Sequence, residues 1–592
     1  MKVEPKTAAV VALVAMTISA FTVGVVATVT LSAVVLSLGG WRTWWVRLGA
    51  GRLRRELVGS GWATKVDVLR DLRPRGRTTR LGRTAIGTRV PMGVRVKVEQ
   101  VVAILGGPRT GKTLSMISIV RRHVGPVIAS SARFDLLLRT ISARARGKGP
   151  VWVFAPAGVH GATGTLLRHM AGAGWVRWMQ WDVLDGCTDP QVANQRAAAM
   201  VDAIDVGSKE DSTWLDSAAT VLKSLLRAAA FGGVCDVCGG CFARNDADRL
   251  AEHVRLVAAP GQTEPEPEPC PGSGRAAARR TSMADVYRWI TSPTEMGEAG
   301  EILALFDMAA VRELMSEVLS ANEKGAASVL RSARLATAFM ALPGAAWACC
   351  PPDHAPALDV ADLLANSGSL YIVGSERNRD GMSPLMAALT QHCWDTAVEV
   401  AKEEPSEKLT DTLLLNLDEL IVSGMAAGLA DKAAVAGGYN IHLVWSCQNL
   451  AQLRAKIGRD ATDSLLDVST TKLVFGGIET PEDVARFAPR CGEVDGQPIL
   501  PAHKLTDLPK FRALLLAPEC MRKTIVATPR AFVRLPEAAQ AALPALPWLA
   551  VAKVRQLAST RPVAELEPVR VPAALPPARG QFVNALVDRE AA

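Results

Sequence analysis

The chain contains 592 residues with a formal net charge of +9, and 49% of its residues are hydrophobic while 21% are charged. This length predicts two or three packing units. The composition excludes a disordered chain, which has too few apolar residues to form a core, and a polytopic carrier, which has fewer charges. The 11 unevenly spaced cysteines argue against a disulfide framework and indicate a reducing compartment.

The first 41 residues predict an N-terminal transmembrane anchor. All 35 residues from 7 to 41 are uncharged, whereas a helix needs about 20 apolar residues to cross a bilayer. Trp41, Trp44 and Trp45 lie beside arginines, as is typical of a membrane interface. We favour one tilted helix over two short helices that turn near Gly24. The apolar stretch is too long for a cleaved signal peptide.

A basic juxtamembrane segment, residues 42–97, follows the anchor. It has 15 Lys and Arg against 3 Asp and Glu, whereas the chain from Val98 onward carries a net charge of −4. Positive charge next to an anchor predicts a cytoplasmic location for the bulk of the protein and places the anchor in the cell inner (plasma) membrane. The segment needs an anionic neighbour, either lipid headgroups or DNA.

The motif G-x-x-x-x-G-K-T predicts a nucleotide site. An apolar, β-branched run from Val98 to Leu105 precedes it, and a helical pattern follows, which is the strand–loop–helix context of a P-loop. Backbone N–H groups of such a loop face the phosphates of ATP. The predicted binding residues are Gly106, Gly107, Pro108, Arg109, Thr110, Gly111, Lys112, Thr113 and Leu114. Lys112 is expected to reach the β- and γ-phosphates, and Thr113 to bind Mg²⁺.

An acidic pair predicts the second half of the site. Asp418 and Glu419 end an apolar run that starts at Leu413, so Asp418 is expected to hold the Mg²⁺ shell and Glu419 to orient the attacking water. Asn416 is unusual inside a buried strand. A further apolar run, from Ile441, is followed by Gln448, which is expected to sense the γ-phosphate; a simple strand cap is the alternative.

Lys112 and Asp418 are 306 positions apart, which exceeds the length of a typical compact domain, so a domain-sized insertion is expected between the strands. Most of it has helical patterns. We therefore predict an α/β fold: a RecA-like P-loop ATPase core interrupted by an all-α domain. The predicted units are the anchor (1–41), the basic segment (42–97), a first nucleotide-binding segment (98–195), the all-α domain (196–345) with a Cys-rich insertion (234–275), a second nucleotide-binding segment (346–535) and a Pro/Ala-rich tail (536–592).

The ordered motifs resemble the coupling proteins of type IV secretion and conjugation, which are membrane-anchored TraG-type ATPases. The similarity runs from about Val98 to Leu535. Besides the P-loop and the acidic pair it includes Arg133 and Asp135 after the next strand, Trp214 leading a helix, and, in family order, the segments EKGAASVLRSAR, SLYIVG, SCQNLAQL and LPKFRALLL. The order of the whole set is hard to obtain by chance.

The resemblance implies a ring-forming, hexameric motor that passes single-stranded DNA with bound relaxase, or a protein substrate, to secretion-channel proteins. The Asp-x-Lys motif that is common in the family is absent, with Ser131 where its Asp would fall, and two further departures from the family pattern are visible. The chain has room for little or no external domain, and Gly437, Gly438 and Tyr439 occupy the place of the usual arginine. Arg486 and Arg490 are the candidates for an arginine finger.

A Cys-rich stretch predicts a structural Zn²⁺ site. Cys235, Cys238 and His253 have a spacing close to half of a zinc finger, and Cys270 or Cys241 would supply the fourth ligand. A reduced-cysteine loop without metal is the alternative.

Two other function classes stay open. A double-strand DNA translocase of the FtsK type is also anchored and ring-forming, but it keeps its acidic strand closer to the P-loop. A nucleotide-binding scaffold that recruits substrate without turnover is compatible with Asn416 and the missing arginine.

Overall fold

The structure, a computed structural model, describes residues 61–528 except 87–90, 146–148, 160, 173, 205–213, 236–240, 244–253, 258–265, 270–277, 320–322, 352–357, 375–378 and 424–427. The predicted anchor and the predicted tail lie outside the described residues. None of the helices in the described part of the chain is long and apolar enough to cross a bilayer.

A 12-stranded mixed sheet forms the centre of the fold. Its strands are β1 (Thr78–Thr84), β2 (Gly93–Lys97), β3 (Val102–Leu105), β4 (Val127–Ser131), β5 (Val151–Phe154), β6 (Arg177–Trp178), β12 (Ser369–Val373), β13 (Leu413–Leu417), β14 (Ile441–Cys447), β15 (Thr471–Phe475), β18 (Arg512–Leu516) and β19 (Thr524–Ala527). Their order across the sheet is β2-β1-β19-β18-β15-β3-β14-β13-β4-β12-β5-β6. From β15 to β6 every neighbouring pair is parallel, while β18, β19, β1 and β2 extend the sheet with antiparallel pairs.

The central parallel strands are buried along their whole length, because helices cover both faces of the sheet. Two hydrophobic cores result. One contains Ile117, Leu137 and Leu414 and lies under the helices that follow the P-loop. The other contains Leu415 and Leu417 and continues into the inserted helical region.

One group of helices accompanies the sheet outside the insertion between β6 and β12. They are α1 (Lys65–Asp71), α2 (Lys112–Arg122), α3 (Asp135–Arg144), α4 (Gly161–Gly172), α13 (Arg379–Glu403), α14 (Leu420–Ser423), α15 (Leu429–Ala436), α16 (Leu450–Ile457), α17 (Arg459–Val468), α18 (Pro481–Phe487) and α19 (Ala502–Thr506), with a 3-10 turn at Ala488–Cys491 and a small hairpin of β16 (Glu493–Val494) and β17 (Gln497–Pro498).

The insertion between β6 and β12 consists mainly of helices. They are α5 (Pro190–Asp202), α6 (Leu215–Phe231), α7 (Met283–Thr291), α8 (Met296–Ala304), α9 (Met308–Leu319), α10 (Glu323–Ala336), α11 (Pro343–Cys349) and α12 (Val360–Ala365), with 3-10 turns at Pro293–Glu295 and Ala338–Ala341. The central helix is α6, which packs against α5, α7, α8, α9 and α10. Its small and branched residues Ala218, Leu222 and Leu225 are fully buried.

The insertion is not entirely helical, which corrects the expected all-α domain. The described parts of the Cys-rich stretch form short strands: β7 (Gly232–Cys235), β8 (Cys241–Ala243), β9 (Val254–Val257), β10 (Glu266–Pro269) and β11 (Ala278–Arg280). Glycine and β-branched residues disfavour a helix there. The helical sequence from Met296 to Leu319 is divided into α8 and α9, because the Asp307 carboxylate accepts from Ala309 N and Ala310 N and starts α9.

The basic segment contributes to the sheet from residue 78 onward. β1 and β2 pair with each other, and β1 joins the core sheet through β19. The strand expected from Val98 starts only at Val102, since a turn at Gln100, whose N–H donates to Lys97 O, separates β2 from β3.

Arg144 joins three segments at the amino end of the sheet. Its buried guanidinium donates to His123 O at 2.8 Å, Gly125 O at 2.8 Å and Ser369 Oγ at 2.7 Å. Burial lowers the pKa of Arg144, and these acceptors beside β4 and on β12 compensate for the lost hydration.

We expect Arg144→Met to lower the free energy of unfolding by about 3 kcal/mol or more, because several buried acceptors lose their donor. Urea denaturation of a fragment that starts at residue 42 measures the change. Arg139→Met, on the same helix, is the matched control and should stay within about 0.5 kcal/mol. Equal effects of the two variants would contradict the structural role of Arg144.

Candidate nucleotide-binding site

The P-loop connects the carboxyl end of β3 to the first turn of α2. Gly106, Arg109 and Gly111 have φ angles of +145°, +60° and +124°. Alternating backbone conformations of this kind turn successive N–H groups into one concavity, which binds an anion together with a helix N-terminus. Pro108 and Arg109 are exposed at its tip.

Residues far along the chain hold this loop in shape. Gly107 N donates to Gly476 O at 3.0 Å, and Phe511 N donates to Thr110 O at 2.7 Å. A Cβ on Gly107 would lie 2.8 Å from Gly477 O, so only glycine fits this approach. These supports were not predicted from the sequence. The one available signal was the pair Gly476 and Gly477, which follows the apolar run of β15.

Lys112 is held by its own loop. Its Nζ donates to Gly106 O at 2.6 Å and to Gly107 O at 2.7 Å. Burial lowers the pKa of Lys112, while the negative charges of Asp418 and Glu419 oppose this change. The ammonium group therefore lies between the loop and the acidic pair, where a phosphate can replace the two carbonyl partners.

Asp418 follows β13 and is buried, with its carboxylate fixed by neighbouring strands. Ser446 Oγ, on β14, donates to Oδ1 at 2.9 Å, and Ser131 Oγ, at the end of β4, donates to Oδ2 at 3.3 Å. Burial raises the pKa of Asp418; the two serine hydrogen bonds and Lys112 oppose it, and Asp135 adds to it. The two serines thus favour the ionised carboxylate.

Glu419 has an unusual backbone that the same serine stabilises. Its φ is +58°, a left-handed conformation that costs about 1–3 kcal/mol for a residue with a side chain. Glu419 N donates to Ser446 Oγ at 2.9 Å, and Gln448 Nε2 donates to Glu419 Oε1 at 3.0 Å. Ser446 therefore positions both acidic residues, and Gln448 is in direct contact with the predicted base.

The structure thus brings four residues together at the carboxyl ends of the parallel strands: Lys112, Asp418, Glu419 and Gln448. Oxygen donors are what Mg²⁺ prefers, and the Thr113 hydroxyl and the Asp418 carboxylate are of this type. The hydrogen-bonded carboxylate and the N–H-lined loop fit a Mg²⁺–nucleotide pair.

Asn416 is fully buried in the middle of β13, and neither atom of its amide has a hydrogen-bond partner. Side chains alternate along a strand, so Asn416 lies on the same face as Asp418. The residue was already unusual in the sequence, and the structure shows that its burial is not compensated.

The remaining candidates have different surroundings. Arg486 forms ion pairs with Asp463 and Asp467, and Arg490 is exposed. In the Cys-rich stretch Val234 pairs with Cys241, which places Cys235 and Cys241 at the same end of a hairpin. Cys238, His253 and Cys270 lie outside the described residues, so the zinc site stays a prediction.

The fold and the site define a P-loop nucleotide-binding protein with a helical insertion. Residues 412–498, from β13 to β17, match the family model TraG-D_C, described as the TraM recognition site of TraD and TraG. None of the curated proteins matches the chain.

Solved structures of a plasmid coupling protein, TrwB, have the same fold. TrwB with a non-hydrolysable ATP analogue has a TM-score of 0.53 at 16% identity, over 81% of this chain and 98% of that chain. TrwB with ADP and Mg²⁺ has a TM-score of 0.53 at 16% identity, over 81% and 96%. The resemblance to the type IV coupling protein family is confirmed.

We expect Ser446→Ala to lower kcat about tenfold, since it removes a hydrogen bond to a charged group that is worth about 1.5 kcal/mol or more. The pKa of Asp418 should rise further, so the acid limb of the kcat/KM profile should move to higher pH. Steady-state ATP hydrolysis between pH 5 and 8 measures both. Ser131→Ala, with the longer bond, should show a smaller shift; an unchanged acid limb in Ser446→Ala would contradict the positioning role.

We expect Asn416→Leu to raise the free energy of unfolding by about 1 kcal/mol, because it removes a buried amide without partners and keeps a similar shape. Chemical denaturation measures this change. Asn416→Asp, which buries a charge, should unfold much more readily. A loss of stability in Asn416→Leu would show that the amide has a partner.

Proposed function

We propose that the protein is the membrane-anchored ATPase of a conjugative or type IV secretion system. It hydrolyses ATP in a ring, recruits single-stranded DNA with its bound relaxase or a protein substrate, and delivers it to the secretion channel. The observation that carries the proposal is the contact of Gln448 with Glu419 beside Asp418 and Lys112, in a fold shared with TrwB.

The residues at the sheet edge divide the work of hydrolysis. Lys112 exchanges its carbonyl partners for the β- and γ-phosphates, and Thr113 and Asp418 hold Mg²⁺, which neutralises phosphate charge when bound. Glu419 orients the attacking water and accepts its proton. The Gln448 amide donates a hydrogen bond to the Glu419 carboxylate. A movement of Glu419 during hydrolysis would therefore be transmitted through Gln448 to β14 and α16.

The ring is part of the proposal because, among the described residues, neither candidate arginine contacts the acidic pair of its own chain. Arg486 is engaged by two aspartates on its own chain, whereas Arg490 is exposed. A homo-hexamer would place an arginine of one subunit at the nucleotide of the next. The resemblance to coupling proteins supports this assembly.

DNA handling is proposed from the resemblance to coupling proteins. The motor core would contact DNA phosphates rather than base edges, so sequence preference is not expected. The helical insertion shares one continuous core with the sheet, which lets changes at β13 reach it. A double-strand translocase and a scaffold without turnover are the competing functions.

We expect ATP hydrolysis by the protein to be stimulated by single-stranded DNA more than by duplex DNA. Phosphate release with each DNA, in the presence of Mg²⁺, measures the stimulation. Lys112→Ala should lose nucleotide binding, because the ammonium group that pairs with phosphate is removed. Glu419→Gln should bind ATP but lose about 10²-fold or more in turnover.

The outcomes separate the three functions. Stimulation by duplex DNA alone would replace the coupling role with double-strand translocation. Nucleotide binding without turnover, in the full chain in lipid, would favour the scaffold. Equal turnover in Glu419→Gln and in the unmodified chain would show that Glu419 is not the base.

A further inference from the structure

Three large apolar side chains are exposed on α1 and on the turn between β18 and β19. Val66 and Leu69, on α1, are 66% and 44% exposed, and Met521, in the turn between β18 and β19, is 87% exposed. The opposite side of α1 is buried through Val68. The helix therefore has an apolar face towards the core and a second one towards solvent, which ordinary surface helices lack.

The helix and the turn are neighbours. Ala63 N donates to Lys523 O at 2.9 Å, and Arg522 Nη1 lies 3.9 Å from Asp67 Oδ2. We call this surface the α1–turn face; its exposed apolar and cationic members are Lys65, Val66, Leu69, Arg70, Met521 and Arg522, and the turn also exposes Pro518 and Glu519. The three exposed cations, Lys65, Arg70 and Arg522, outnumber the exposed carboxylate of Glu519.

A cluster of arginines extends the positive charge, and two of its members, Arg80 and Arg95, are cross-strand partners in β1 and β2. Burial lowers the pKa of Arg80, and Arg122, Arg83 and Arg95 lower it further by repulsion. Within the described residues none of these four forms an ion pair, and Arg80 Nε has no hydrogen-bond partner. The cluster joins the helix through Arg95, whose N–H donates to Leu72 O at 2.8 Å. Such a cluster needs an anion.

The face lies at the edge of the sheet away from the nucleotide. The P-loop follows the carboxyl end of β3, whereas the turn follows Leu516, which pairs with Lys472 near the start of β15. Because β15 and β3 are parallel, the turn lies at their amino ends. A ligand on this face leaves the nucleotide site accessible.

The segment between Trp45 and Gly61 limits how far the α1–turn face can lie from the predicted anchor. Gly61 is 16 residues after Trp45, the end of the aromatic interface pattern. An extended linker of this length spans at most about 55 Å. Residues 42–60 carry five arginines and one glutamate, so the linker itself is attracted to anionic lipid.

We propose that the α1–turn face and its arginine cluster lie against the anionic cytoplasmic surface of the membrane. Val66, Leu69 and Met521 enter the headgroup and acyl boundary, and the arginines bind lipid phosphates. DNA would use the arginines but not the apolar side chains, so lipid explains the whole face. The proposal rests on the membrane anchor of the proposed function.

The test uses the full chain in vesicles of phosphatidylglycerol and phosphatidylcholine. A fluorescent amino acid replaces Val66, Leu69 or Met521 in turn, and nitroxide-labelled lipids quench it on contact. Met308, which is 52% exposed in the helical insertion, is the matched control position. We expect several-fold stronger quenching at the three positions than at Met308, and weaker quenching in vesicles of phosphatidylcholine alone.

Arg83→Gln combined with Arg95→Gln should weaken the quenching at Met521 in anionic vesicles, because the face loses two of its phosphate contacts. Quenching no stronger than at Met308 would overturn the proposal. ATP hydrolysis in the same vesicles is read in parallel. Hydrolysis without quenching removes this proposal alone, and quenching without hydrolysis removes the proposed function alone.

Discussion

The buried carboxylate of Asp418 is the constraint on which the site depends. A charge without water is costly, and here two serine hydroxyls and the nearby ammonium group of Lys112 compensate for the loss. These groups come from β4, β14 and the first turn of α2, which the P-loop connects to β3. The carboxylate is therefore stabilised only if β4, β13, β14 and β3 are adjacent and parallel, which is the order observed.

The site contains a strained backbone conformation and a buried amide without hydrogen-bond partners, which a purely structural sheet would avoid. Glu419 has a left-handed backbone, and Asn416 is buried without partners two residues before Asp418. Lys112 is bonded to its own loop. Ser446 offsets part of this cost, because one hydroxyl serves both acidic residues. Departures from ideal geometry that cluster at one sheet edge are typical of a functional site.

The sheet can accommodate the helical insertion because of the positions of the strands that precede and follow it. The chain exits after β6 at one edge and re-enters as β12, between β4 and β5. Closing a long connection adds little entropy cost, since the cost grows only with the logarithm of length. The insertion then shares a hydrophobic core with one face of the sheet, so the two regions are packed as a unit.

The sequence by itself determined the features that depend on local spacing. The P-loop is a contiguous strand, loop and helix, and Asp418 and Glu419 end an apolar run, so both were found without a structure. Only the tertiary structure decided which residues support them. Ser446, Gly476 and Phe511 act across the sheet, and the basic segment became β1 and β2, because strand pairing joins residues hundreds of positions apart. No local sequence pattern predicts which strands will be neighbours in the sheet.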